Sequence, residues 1–472
     1  MLFHSPNFLV FFILLLIPYF TFRKKRLILL AIANAVFYGF SGLGILLLFV
    51  AMCLITFVIV HLMQRPGLKW TFWIAIGLNL ANLIFFKYSL FILTTVQKFA
   101  GTELLVTDWA KTSIVVPIGI SFYTFEFLSY LIDVRRGHST PTRSFTKFWI
   151  FVSTFPHLIA GPIMRGDELI PQLNDLPNRK IPWADIQYGV YMFIVGLLKK
   201  VVIADTIAGV ADDIFIKGTA MTGTEAWIGS TAFAFQIYYD FSAYTDMAVG
   251  LGYILGLRFM KNFDAPYLSA NAQEFWNRWH MTLSRWIKDY IYIGLGGNRK
   301  GAFRTYVNLF LAMLISGLWH GALWTYVIWG AIWGALLVIH RLSLKLNRIE
   351  WIHALRSNMV YRVIAVFIFF QVTIWTWVFF RAHSMTLALD MTRKMLHPSS
   401  WLAVVQTPAF IWICGLFLLH ILEMLLRKYE TKIGRFWTKV PFPIRSIFYL
   451  CLLLTIIYYM KGEKYGFIYF QF

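Results

Sequence analysis

The chain has 472 residues, 59% of them hydrophobic and only 14% charged. A soluble domain carries about 25% charged residues, and soluble cores stop growing near about 250–300 residues. A single water-soluble globule is therefore excluded, and lipid is part of the solvent. The net charge of +21 would suit a nucleic-acid binder, but the cations cluster between apolar stretches, as in cytoplasmic loops of membrane proteins. No nucleic-acid partner is expected. Cys53, Cys414 and Cys451 lie in apolar runs without metal-ligand spacing. They read as small buried hydrophobes, and no metal site is expected.

Residues 1–7 lack the basic region of a cleavable signal peptide. The apolar run after them ends in Arg23-Lys24-Lys25-Arg26, which predicts a retained first span, N-terminus outside and basic cluster inside. Stretches near 8–22, 27–40, 43–63, 70–95 and 114–133 are each read as spans of a hydrocarbon layer about 30 Å thick. Arg65 and Lys69 mark one inside loop, and Arg135, Arg136, Arg143 and Lys147 the next. The loop around 96–113 balances two basic against two acidic residues and is placed outside.

Residues 258–304 hold eight Lys or Arg against Asp264, Glu274 and Asp289, which places them at the cytoplasmic face. Three apolar stretches precede them, near 148–163, 188–210 and 226–257. Three full crossings would put residues 258–304 outside, so one stretch does not span. The first carries Pro156, His157, Gly161 and Pro162; the second is interrupted by Lys199-Lys200. Either is a candidate re-entrant or interfacial segment, allowed at membrane depth only where protein or a wet cavity satisfies its backbone. A broken, cavity-lining centre is predicted.

Arg341, Lys345, Arg348 and Arg356 against Glu350 mark residues 341–356 as cytoplasmic again. Residues 305–340 then leave that side and return, which predicts a helical hairpin with its tip at 316–321. Limbs of about 16 residues reach about 24 Å, so His320 lies deep. Spans near 361–380, 404–426 and 446–460 bracket an inside loop of Arg427, Lys428, Lys432, Arg435, Lys439 and Arg445, leaving residues 467–472 outside. No internal repeat is evident. The expectation is all-α: a polytopic integral membrane protein with about eleven or twelve spans plus re-entrant or interfacial helices. It is read as one domain, with N-terminal spans 1–133, core 134–345 and C-terminal spans 346–472.

Ionisable groups inside a bilayer are costly and mark function by default. His4, His138, His353, His383 and His397 fall at loops or span edges. His61, His340 and His420 lie near span ends, where an imidazole reaches the interface. His157 either bonds an opened backbone or takes a direct role. His320 differs, because Trp319 and Trp324 flank it and Gly317, Gly321 and Ala322 permit close approach. A neutral imidazole there can accept a proton at neutral pH; the bland alternative is a histidine that only ties the tip together.

His280 is the second candidate. Across 274–286, Trp276, Trp279, Leu283 and Trp286 share one helical stripe, and Arg278, Arg285 and Lys288 another. One interfacial helix is expected, with His280 beside its aromatic face, either entering the cavity or resting at the interface. Residues 295–301, with Asn298 and Arg299, form a Gly-rich basic turn that cradles phosphate or is simply a tight cytoplasmic turn. In 236–246, Asp240 and Asp246 must face protein, with Tyr239, Ser242, Tyr244 and Thr245 satisfying them or lining a polar tunnel. Asp240 is expected to neutralise a cation such as Arg165, Arg278 or Arg285, because a lone carboxylate there is expensive.

Taken together, these runs resemble the membrane-bound O-acyltransferase family. The resemblance rests on Phe275-Trp276-Asn277-Arg278-Trp279-His280 through Gly296-Gly297-Asn298-Arg299, on Tyr239-Asp240-Phe241-Ser242, on Ala160-Gly161-Pro162-Ile163, and on Ser316-Gly317-Leu318-Trp319-His320-Gly321. It extends along essentially the whole chain and is strongest to the bacterial alginate O-acetyltransferase branch. The resemblance implies a helical funnel in the bacterial inner membrane with catalytic His320 at its narrow centre. It also implies His280 at a second polar position, which many eukaryotic relatives fill with Asn. The donor it implies is a cytoplasmic thioester, acetyl-CoA or another acyl-CoA or acyl-carrier thioester, with no bound cofactor. The acceptor would be a periplasmic protein that modifies an alginate-like polysaccharide.

On this reading His320 is a general base toward an acceptor hydroxyl, with an acyl-His320 intermediate as a variant. His280, Asn277 or Tyr239 would orient the donor or stabilise the oxyanion, and Asn298-Arg299-Lys300 would attract donor phosphates. Alternatives are D-alanyl transfer to teichoic acid and acetylation of peptidoglycan or cellulose. Outside enzymes, the alternative is a proton-coupled transporter with a His and Asp relay, although no duplicated halves are present.

Overall fold

In the computed structural model the described residues are 1–101, 114–429, 432, 436–437, 440–459 and 466–468. Much of the loop at 96–113, Arg435 and Lys439 of the basic loop, and residues 469–472 lie outside them. The described secondary structure is helical, with no strand among the described residues. Two compact units form: Met1–Gly196 with Tyr244–Met260, and Leu197–Ala243 with Lys261–Phe472.

In the first unit, helix α1 (Pro6–Thr21) starts at Ser5, whose side chain accepts from the Phe8 N–H, with Pro6 at the first turn. It meets α2 (Arg26–Gly39) at a 120° bend. Arg26 is buried at that bend and donates to the carbonyls of Tyr19, Leu176 and Arg179. Next come α3 (Leu43–Leu62), α4 (Thr71–Leu83) running through a π-helical turn into α5 (Ser89–Ala100), and α6 (Ile120–Arg136). Of the two stretches that were candidates for a break, the first is interrupted: α7 (Phe145–Ser153) stops at Thr154, and α8 (Phe155–Leu158) follows with Pro156 in its first turn. Asn34 repairs the gap, donating to Ser153 Oγ (3.1 Å) and accepting from the Phe155 N–H (3.2 Å). His157 faces Glu126 at 3.2 Å, both buried. Helices α9 (Gly166–Asp175) and α10 (Trp183–Leu198) complete the run.

In the second unit a π-helical turn at Lys199–Ala204 leads into α11 (Asp205–Phe215). Helix α12 (Gly223–Leu255) has 33 residues, about 50 Å at 1.5 Å per residue; its residues to Ala243 belong to this unit and the rest to the first. Every residue from Gly229 to Ala248 is buried, which lets this helix carry polar groups. Short helices α13 (Ala272–Arg278) and α14 (Met281–Trp286) precede α15 (Gly301–His320) and α16 (Trp324–Ser343). Then follow α17 (Glu350–Ser357), α18 (Met359–Arg381), α19 (Met385–Met395), α20 (Pro398–Val404), α21 (Ala409–Lys428) and α22 (Phe442–Tyr459).

The chain is a multi-pass membrane protein. Among the described residues seven helices are long and apolar enough to cross a bilayer, or up to eight counting the bent α1–α2 pair. Outward-facing Leu47, Phe367 and Leu418 are the surface such helices show to hydrocarbon. A helix can also sit at membrane depth without being long and apolar enough to meet lipid along its length. Helices α6 and α12 are enclosed by protein along most of their length, so lipid imposes no apolar composition on them. Two cysteines also depart from expectation: Cys53 is buried, but Cys414 and Cys451 are exposed on their helices.

Candidate active site

His320 is the last residue of α15; extended Gly321 and Leu323 turn the chain into α16. The expected hairpin is present, and glycines allow its limbs to touch. A Cβ on Gly330 would stand 2.6 Å from the Met313 carbonyl oxygen and 3.1 Å from Gly317 Cα. At Gly334 it would stand 3.0 Å from Phe310 Cα.

His320 is 4% exposed. Its ring lies 4.9 Å from Trp319, 5.1 Å from Trp329 at 88°, and 5.2 Å from Phe380. Trp377 stacks on Trp329 at 5.9 Å and 26°. These edge-to-face contacts fix the imidazole plane and keep bulk water off it. Trp329 provides the wall that the sequence reading gave to Trp324, which is half exposed.

His280 stands 6.1 Å from the same Trp319 ring and 4.7 Å from Phe241. The single interfacial helix expected through it does not form. The Asp264 N–H donates to the Arg278 carbonyl and the Met281 N–H to the Asn262 carbonyl, both at 2.9 Å. This backbone pairing splits α13 from α14 and puts His280 at φ +42°, a strained conformation for a residue with a side chain. The tryptophan stripe turns into protein, Trp279 against Trp377 at 5.0 Å and Trp276 against Trp333 at 5.1 Å.

The split also fixes the protonation of His280, which lies outside the helices able to span. Asn262 Oδ1 accepts from the Thr282 N–H (3.1 Å) and Oγ1 (3.0 Å), which identifies that atom as the amide oxygen. His280 Nδ1 lies 3.2 Å from it and must donate. Burial pushes the His280 pKa down to about 3, so the ring is neutral with its proton on Nδ1 and a lone pair on Nε2. Such a ring accepts a hydroxyl proton's hydrogen bond; it does not donate to an oxyanion.

The remaining candidates divide. Tyr239 and Asp240 are buried on α12; the Tyr239 hydroxyl has no hydrogen-bond partner among the described residues. The cation beside Asp240 is Lys200 (2.9 Å), in place of Arg165, Arg278 or Arg285; Arg278 pairs with Glu274 at 2.9 Å. Lys200 also meets Asp205 at 2.8 Å, and the Ile468 N–H donates to Asp240 Oδ2 at 2.7 Å. Asp240 is thus part of a fully engaged buried network. Asn277 is exposed on α13, away from the buried rings. Asn298 and Arg299 are exposed on a turn whose Gly296 and Gly297 have positive φ and whose Gly297 carbonyl accepts from Asn308 at 2.9 Å. That turn opens the helix that His320 closes, about 28 Å away along its axis.

His420 overturns its assignment to a span end. It is fully buried on α21, 4.6 Å edge-on from Tyr238. Tyr238 donates to Glu423 (2.9 Å), which also pairs with Lys199 and Arg427. Glu423 within an apolar stretch was a readable signal for this cluster. Asn262, Trp329 and Phe380 carried none, since nothing local marks them. Among the described residues no group of three His, Cys, Asp or Glu could hold a metal ion.

These features define a multi-pass helical membrane protein holding a buried imidazole at the turn of an apolar hairpin. The model of the MBOAT, membrane-bound O-acyltransferase, family matches residues 79–380, a span that includes His280, His320 and the Trp329 and Phe380 walls. The chain belongs to that family and is an acyltransferase. It is 41% identical over 415 residues to a probable alginate O-acetylase of Pseudomonas putida, covering 85% of this chain and 81% of that one. A peptidoglycan O-acetyltransferase of Helicobacter pylori is 36% identical over 398 residues, 78% of this chain and 73% of that one. A teichoic acid D-alanyltransferase of Bacillus subtilis is 27% identical over 267 residues, 53% and 66% respectively.

Proposed function

We propose that the chain moves an acetyl group from a cytoplasmic thioester, acetyl-CoA, to an extracytoplasmic hydroxyl on the route to O-acetylated, alginate-like polysaccharide. The observation that carries the mechanism is His320 at the hairpin turn, enclosed by Trp319, Trp329 and Phe380. His320 takes the proton of the acceptor hydroxyl as its oxygen attacks the thioester carbonyl. The tetrahedral intermediate collapses, the carbon–sulfur bond breaks, and the leaving thiolate receives the proton back from His320. The transient imidazolium forms at the C-terminal end of α15, where the helix dipole is negative, and between aromatic faces. His280, with its lone pair on Nε2, orients the hydroxyl. Asn298 and Arg299 would meet the donor's phosphates only with the donor extended along α15.

The inner membrane and a periplasmic protein as immediate acceptor complete this reading, as the family resemblance implies, with both termini outside as the charge parity of the loops suggests. Peptidoglycan as acceptor is the second reading, supported by the 36% identical relative. The test is acetyl-CoA turnover by purified protein and its His320→Ala variant. Loss of turnover with an unchanged melting temperature is expected; unchanged turnover sinks the base assignment. Comparing polymers from cells with and without the protein identifies the acceptor.

A further inference from the structure

Beyond acyl transfer, the first unit carries an apolar groove of about 410 Å³. Leu9, Phe12, Leu16 and Phe20 of α1 form one side, Trp183 and Val190 of α10 the other, and every lining residue is apolar. From Leu9 to Phe20 the groove follows α1 for about 16 Å at 1.5 Å per residue. One leaflet of a hydrocarbon core about 30 Å thick has that depth.

The two ends of the groove differ. Just past Phe20 the α1–α2 bend exposes Arg23, Lys24 and Lys25, none with a carboxylate in ion-pair reach among the described residues. Buried Arg26 stands 5.9 Å from the Phe20 ring and is satisfied by carbonyls alone. The neighbouring acids are engaged, Asp185 with Arg258 and Asp175 with Arg179. Exposed cations cannot rest in hydrocarbon, so the bend marks headgroup level. Trp183, 69% exposed at the same end, is the residue type found at that interface.

We propose that this groove binds one anionic phospholipid, with an acyl chain along α1 and its phosphate on Arg23, Lys24 and Lys25. A zwitterionic lipid offers the same chain but no net charge to the three cations. Each cation near an anionic headgroup contributes about a fivefold preference.

The test uses the full chain, delipidated in detergent and titrated with dioleoyl phosphatidylglycerol or dioleoyl phosphatidylcholine, with bound lipid counted by native mass spectrometry. Phosphatidylglycerol is expected to bind about tenfold more tightly or better. The Arg23→Gln, Lys24→Gln, Lys25→Gln triple variant should reduce it to the phosphatidylcholine level. Val190→Trp, which fills the groove from a partly exposed position, should weaken both lipids. Equal binding by the unaltered chain overturns the proposal. So does a triple variant that keeps its preference, or a Val190→Trp protein that binds both lipids normally.

Discussion

The glycine contact between the hairpin limbs gives a quantitative test of how His320 is held. In Gly330→Ala the new Cβ would lie 2.6 Å from the Met313 carbonyl oxygen, where ordinary contact begins near 3.4 Å. Both partners are helix backbone, so no rotamer relieves the clash and the limbs must part by about 0.8 Å. Overpacking of this kind costs about 1–3 kcal/mol, against about 0.5–1 kcal/mol gained by replacing a helical glycine. A net loss of about 0–2.5 kcal/mol, centred at about 1 kcal/mol, follows. Trp329, adjacent to Gly330, moves with it relative to His320. A displacement near 1 Å costs about 10²-fold in rate, so turnover should fall about 10- to 100-fold. Gly415→Ala is the matched control, since a Cβ there meets nothing within 4 Å. Acetyl-CoA turnover and thermal unfolding of both purified variants decide it. If Gly330→Ala keeps the unaltered chain's rate and stability, or if both variants behave alike, the hairpin contact does not position His320.

Buried His280 gives a pH signature in stability. Its pKa is about 3 folded against an ordinary 6.5, so the unfolded chain binds more protons in that interval. Stability should fall as pH drops below 6.5, by about 2 kcal/mol at pH 5, and His280→Phe should flatten that part of a pH–melting curve; an unchanged slope contradicts the neutral tautomer. Asn262→Ala removes the acceptor that holds the proton on Nδ1, so kcat should drop at least tenfold with little change in KM for acetyl-CoA; a KM effect alone would place Asn262 in donor binding. Lys200→Met strands buried Asp240 and half-buried Asp205 and should cost about 3–5 kcal/mol in unfolding measurements. Adding Asp240→Asn should recover part of it, and additive losses would show that the pair is not coupled.

The hairpin with His320 at its tip was legible in the sequence because charge parity fixes both of its ends. The break near Pro156 was legible because proline lacks an N–H and disfavours helix at the residue before it, a cost that α1 and α9 nevertheless bear at Pro18 and Pro171. What stayed hidden depends on partners remote in sequence. The split at His280 comes from backbone pairing with residues 262–264, which no periodicity encodes. Lys199-Lys200 read as an interruption because its acids, Asp240 and Glu423, lie far along the chain. Asn277 sits beside His280 in sequence, yet its side of α13 faces outward. His420 looked peripheral only because hydropathy cannot tell which face of a span is enclosed.

The amide of Ile468 on Asp240 links positions 228 residues apart, and Lys200 also reaches the Gly466 carbonyl, 266 residues away. Contacts this distant form late, since loop closure must precede them. Lys200 pairs with both Asp205 and Asp240, and its single charge leaves the cluster one negative charge in excess when both carboxylates are ionised. The remaining carboxylate oxygen waits for a backbone donor translated hundreds of residues later. Assembly of the second unit therefore has a closing step, and chains halted before residue 466 would present an incomplete polar core to quality-control proteases.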